Sequence, residues 1–228
     1  MSAVLSNKSI LRAKKDGLVV IEPFNEQNLS TSSYDVTLGE FYFRECEPQP
    51  GVTLYNPYSE KHVKRVWGSV CVAQPLSAHS DVLMLENIDP ADRVIFIRPG
   101  ETILAHTNEF IGGRGNITTM MKARSSMGRS FIEVCKCAGW GDVGYTNRWT
   151  MEITNNSRFY SIPLVVGRRI AQIVFFETSP LLDDDQCYVE GSGKYQETRD
   201  LAQLQDRWSP TDMLPRMYRD RELEHKDE

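Results

Sequence analysis

The chain has 228 residues, 26 Lys plus Arg against 31 Asp plus Glu, and a net charge of −5. That mild acidity argues against a protein that holds nucleic acid by neutralising phosphates over a broad surface, and an apolar fraction of 40% excludes wholesale disorder. No apolar run nears the ~20 residues that span a bilayer, and the opening MSAVLSNKSILRAKK lacks a secretory apolar stretch, so the expectation is a soluble, cytoplasmic protein with no membrane and no nucleic-acid partner.

NKSILRAKKDG reads as a first helix, capped by Ser6 or Asn7, with Ile10 and Leu11 on its apolar side and Gly17 at its end. LVVIEPF is a short strand closed by Pro23. Residues 25–33 form a polar loop, and YDVTLGEFYF reads as a strand pair turning near Gly39. Residues 44–66, with Pro48, Pro50, Gly51 and Pro57, read as a long loop. From residue 67 the apolar runs are short and separated by turn residues: WGSVCVAQPL, DRVIFIRPGE, TILAHTNEFI, NITTMMKA, FIEVCKC, RWTMEITNN, YSIPLVV and RIAQIVFFE. Many short strands of this kind indicate an all-β sandwich or barrel over residues 1–182. Residues 183–228 differ in composition. The GSG at 191–193 reads as a hinge, so the segment is expected to serve partly as a lid and partly as a charged tail.

Five cysteines, Cys46, Cys71, Cys135, Cys137 and Cys187, make an odd number in a chain too large to need disulfides, which points to reduced thiols. Cys135 and Cys137 would share a face of a strand. No C-x-x-C occurs and His62, His79, His106 and His225 are scattered, so no metal site is expected and small buried residues are the favoured reading.

Three stretches carry chemistry. KARSSMGR at 122–129 gathers Lys122, Arg124, Arg129, two serines and a glycine. It reads either as a phosphate cradle or as a charged surface turn. CAGWGDVGY at 137–145 frames Asp142 with three glycines, and Asp142 either caps a turn or holds a hydroxyl. In RWTMEITNN at 148–156, alternation puts Trp149, Met151 and Ile153 on one face and Thr150, Glu152 and Thr154 on the other. Glu152 is then either a solvated surface carboxylate or, if that face lines a pocket, a group with a raised pKa suited to acid–base catalysis.

In this order, with LSNKSI, GLVVIEPF, SSYDVTLG and PGETILAHTNEFI before them and GRRIAQIVFFE and SGKYQ after, these stretches resemble the dCTP deaminase branch of the dUTPase-like superfamily over roughly residues 4–196. The resemblance implies a distorted β jelly roll with a short N-terminal helix and an extended C-terminal segment, forming homotrimers with sites between subunits. It implies hydrolytic deamination of dCTP to dUTP and ammonia without zinc, with Mg²⁺ arriving on the triphosphate. A bifunctional variant of the same reaction would give dUMP and pyrophosphate, and dUTP or dTTP are candidate feedback ligands. By residue, Glu152 falls on the proton-shuttling glutamate, and Ser125 and the backbone at Ala138 fall where the attacking water is held. Arg124, Ser126 and Arg129 fall on triphosphate positions, joined by Tyr188 and Lys194. Asp142 falls on the 3′-hydroxyl position, the backbone at Thr150 on the cytosine edge, and Gln172 on a site-lining position.

The zinc-dependent deaminase signature is absent, since HTNE at 106–109 has the wrong spacing and no Pro–Cys occurs. Gly141 and Val143 depart from the family turn and are expected to loosen it. Thr198 stands where a phosphate-contacting Gln is common. A plain dUTPase and a non-catalytic nucleotide sensor are the remaining alternatives.

Overall fold

The computed structural model describes residues 4–79, 84–181, 188 and 193–224. Cys187, Gly191 and His225, and with them most of the expected hinge, lie outside these residues.

Helix α1 (Asn7–Lys15) starts at Ser6, whose hydroxyl accepts the Ser9 N–H at 3.4 Å, and closes at Gly17, where φ is +77°. Ile10 and Ala13 face the core and Leu11 is exposed. With Ile10 and Ala13 setting the core side, the ~100° step between neighbours carries Leu11 well away from their midline and off the expected stripe. Strand β1 (Val19–Glu22) ends at Pro23.

The run Tyr34–Arg44 is a single strand, β2, rather than a pair. Gly39 does not turn the chain. A Cβ there would lie 2.0 Å from the His106 ring, so the glycine admits that ring. The 44–66 region is also not irregular throughout: α2 (Glu60–Trp67) follows the proline-rich part. Good helix formers, an i,i+4 pair between Glu60 and Lys64 at 2.7 Å, and burial of Val63 explain it.

Next come β3 (Cys71–Val72), β4 (Gln74–Pro75), β5 (Arg93–Ile97), β6 (Thr102–Gly113), β7 (Ile117–Ala123), the helical turn α3 (Ser125–Arg129) and β8 (Ile132–Val134). They are followed by β9 (Trp140–Gly141), β10 (Thr146–Asn155), β11 (Ile162–Val165) and β12 (Arg169–Glu177). The larger sheet runs β8-β10-β6-β2-β12-β7-β9, with β1 on β6 and β3 on β2; a smaller sheet runs β11-β5-β4. All pairings are antiparallel, as an all-β architecture built from short strands requires. The core gathers Tyr34, Val36, Ile103, Ile111, Met151, Ile173 and Phe175 from facing strands.

FIEVCKC is not a continuous strand. It ends at Val134, and Cys135 and Lys136 adopt φ of +62° and +39°. Cys135 is buried and Cys137 exposed, so the two thiols do not share a face. The charged C-terminal part is largely packed. Helix α4 (Leu201–Arg207) leads to the 3₁₀ turn Pro210–Met213, and Met213 and Leu214 bury against Phe43, Val63 and Leu104.

Candidate active site

The alternation in β10 holds from Trp149 to Ile153, whereas Thr154, expected beside Thr150 and Glu152, is buried. Trp149, Met151 and Ile153 are buried, while Thr150 and Glu152 are half-exposed on the opposite face. Trp149 locks the inner face by donating from Nε1 to the Ile111 carbonyl at 2.9 Å. Glu152 lies opposite Leu104 of β6, and its carbonyl accepts the Cys135 N–H at 3.0 Å. Its face is not a solvated surface but one wall of a cleft of about 580 Å³. Tyr55 and Trp67, from the 44–67 region, also line it, with Tyr195, Trp208 and Met213 from the C-terminal segment. Burial raises the Glu152 pKa, and Lys136 opposes that shift.

The 138–145 turn forms the floor. A Cβ at Gly139 would lie 2.3 Å from the Met121 carbonyl, and the Met121 N–H donates to the Gly139 carbonyl at 2.7 Å. Gly141 does not loosen this turn as expected. A Cβ there would lie 2.5 Å from the Trp149 ring, and the Thr118 hydroxyl donates to the Gly141 carbonyl at 2.7 Å. The glycine is the space into which Trp149 packs. Val143 is buried and its carbonyl accepts the Tyr188 N–H at 3.0 Å, tying the C-terminal segment to the turn.

Gln196 makes a second tie. Its side-chain oxygen accepts the Thr146 N–H at 2.7 Å and its amide donates to the Thr198 carbonyl at 3.0 Å. Thr198 thereby takes part in the anchor. Asn147 adds a bond to the Tyr195 carbonyl at 3.0 Å.

Among the expected site residues, Ala138, Asp142, Thr150, Glu152 and Tyr188 line the cleft. Arg124, Ser125, Ser126, Arg129, Gln172 and Lys194 do not. Arg124 is held by Asp35 at 3.3 Å, and Asp35 also holds Arg169 at 3.1 Å. Ser125, Ser126 and Arg129 are exposed on α3. Gln172 is paired in register with Lys122 and Asp35. Lys194 is ion-paired with Asp220.

Sequence reading did not single out Arg148, Trp208 or Met213, which also line the cleft. Arg148 lay in a stretch read for its glutamate, and the other two lay in a segment read as part lid and part charged tail, with no residue of it beyond Thr198 singled out. Among the described residues no three or more His, Cys, Asp or Glu side chains converge as a metal set.

A family model described as dCTP deaminase-like matches residues 4–178. A protein of Methanopyrus kandleri named "dCTP deaminase, dUMP-forming" is 32% identical over 200 residues, covering 84% of this chain and 90% of its own. One of the same name from Methanococcus maripaludis is 30% identical over 177 residues, covering 77% and 82%. The crystal structure of 2′-deoxycytidine 5′-triphosphate deaminase from Agrobacterium tumefaciens superposes with a TM-score of 0.54 at 17% identity. The match covers 80% of this chain and 50% of that one, and it identifies the dUTPase-like jelly-roll fold. The chain belongs to the dCTP deaminase-like family.

Proposed function

We propose that the chain is a zinc-independent dCTP deaminase with Glu152 as its general acid–base. The observation that carries this reading is a carboxyl group half-buried on the wall of a cleft, with its pKa raised, beside Thr150, Ala138 and Asp142. A water held against Glu152 loses a proton to the carboxylate and attacks C4 of cytosine. Glu152 returns that proton to N3, then takes the second proton from the hydroxyl now on C4 as the C4=O bond forms and passes it to the amino group, whose bond to C4 breaks as ammonia leaves. Such proton transfer is worth ~10²–10⁴ in rate, and positioning of the water supplies further acceleration. Ala138 is fixed for a water-holding role by its N–H bond to the Cys135 carbonyl at 2.7 Å.

The product is proposed to be dUMP with pyrophosphate, rather than the dUTP expected first, because the similar relatives carry the words "dUMP-forming". Asp142 on the cleft floor is the residue proposed to serve that second step. Mg²⁺ enters on the triphosphate and neutralises part of its charge. The exposed Ser125, Ser126 and Arg129 complete the site from a neighbouring copy in a homotrimer.

Incubation with dCTP and Mg²⁺, followed by anion-exchange separation, tests the reading, with a zinc chelator as control. Direct appearance of dUMP and pyrophosphate is expected. Accumulation of dUTP would leave deamination alone, and unchanged dCTP would overturn the proposal.

A further inference from the structure

Arg148 lines the same cleft as Glu152 and is the only cation among the described residues that line it; Asp142, Glu152 and Asp212 are the charged residues of opposite sign. Asp212 has its own cation in Arg216 at 2.5 Å. The Arg148 guanidinium rests on two aromatic faces, 5.1 Å from the Phe110 centroid and 4.6 Å from that of Trp208. Its Nε is buried without a hydrogen-bond partner. The nearby carboxylate of Glu109 is occupied by the Thr37 N–H at 2.9 Å and the Thr37 hydroxyl at 2.8 Å. A guanidinium held over aromatic rings still has its terminal N–H groups to offer an anion, and leaving a buried donor unpaired is costly.

The strand provides a ruler. Arg148 and Glu152 are four positions apart, ~13 Å at most along a strand, and the register shift between Arg148 and Thr150 puts its extra residues on β6 rather than on β10. A nucleoside fits within that span. With C4 of the base at Glu152 and its edge along Thr150, the 5′ end of the sugar falls near position 148. Resting on the deaminase reading, we propose that Arg148 is a substrate-positioning residue that grips the phosphate nearest the sugar, on the same chain as Glu152, with Trp208 of the C-terminal segment holding the guanidinium in place. The exposed α3 residues are then left with the outer phosphates.

The test compares wild type, Arg148→Gln and Arg148→Lys in initial rates with dCTP and in competition by dCMP and by deoxycytidine. Arg148→Gln is expected to raise the KM for dCTP and the inhibition constant of dCMP by a shared factor of about 10–100, the value of a lost charged hydrogen bond. The inhibition constant of deoxycytidine, which has no phosphate, stays unchanged, and kcat stays within about twofold, as for a group that binds ground and transition states alike. Arg148→Lys restores part of the loss. An unchanged KM, or an equal loss for deoxycytidine, would overturn the assignment, the latter by showing a packing role. If Arg148→Gln does not fold, Arg148→Met, which preserves the stem, carries the same comparison. Wild-type protein that turns over no dCTP would overturn the deaminase reading and the Arg148 proposal with it; wild-type turnover alongside an indifferent Arg148→Gln overturns the Arg148 proposal alone.

Discussion

Glu152 and His106 stand on the same side of the sheet, and burial acts on them in opposite directions. For Glu152 burial raises the pKa, so the proposed base, which must be ionised to act, is lost at a higher pH than usual. The acid limb of kcat/KM is expected above the ordinary glutamate value of ~4.3, measurable as a pH–rate profile. His106 is only 1% exposed, stacked on Phe41 and tilted against Trp208, and burial lowers its pKa to about 4. The folded chain therefore resists a proton that the unfolded chain accepts. The stability from neutral His106 is fully present above about pH 6.5 and is lost as pH falls toward about 4. The full span is on the order of 3 kcal/mol. Thermal melts at several pH values should show a steeper acid decline for wild type than for His106→Phe; parallel curves would refute this. Gly141→Ala drives a Cβ into the Trp149 ring and is expected to cost about 1–3 kcal/mol, read as a lowered denaturation midpoint.

The β strands were legible because alternation and turn residues are local. β10 is the clearest case: its inner face, Trp149, Met151 and Ile153, follows from residue order alone. Gly39 misled because a glycine that admits a distant ring looks the same in sequence as one that turns a chain. Cys135 misled because two left-handed residues ended a run whose composition still suited a strand. The C-terminal segment misled most. Its charges face outward, while Met213, Leu214 and Trp208 pack on strands more than a hundred residues earlier, which no local pattern reveals. Met213→Ala is expected to cost about 2–4 kcal/mol by emptying a buried site, measured by denaturant titration. Truncation after Asp200 would open the cleft wall to water. The acid limb of activity should then move down in pH as Glu152 regains solvent; an unmoved limb would show that the segment does not shield it.

Across the whole molecule, the expected site residues divide into two groups. Glu152, Thr150, Ala138 and Asp142 share one cleft, and Arg124, Ser125, Ser126 and Arg129 lie elsewhere on the chain. Sequence order could not reveal this division, because motif order carries no distance. A trimer with shared sites predicts that two inactive variants, Glu152→Gln and Ser125→Ala, regain activity when their subunits are mixed and reassembled, since some interfaces then combine two intact halves. No recovery would place the whole site within one chain. The central claim, that one half-buried carboxyl group handles the protons of deamination, is tested most directly by Glu152→Gln alone, measured for dCTP affinity and for single-turnover release of ammonia. Affinity within a few-fold of wild type with turnover reduced by ~10²-fold or more is the predicted result. Undiminished ammonia release would remove Glu152 from the proton transfers.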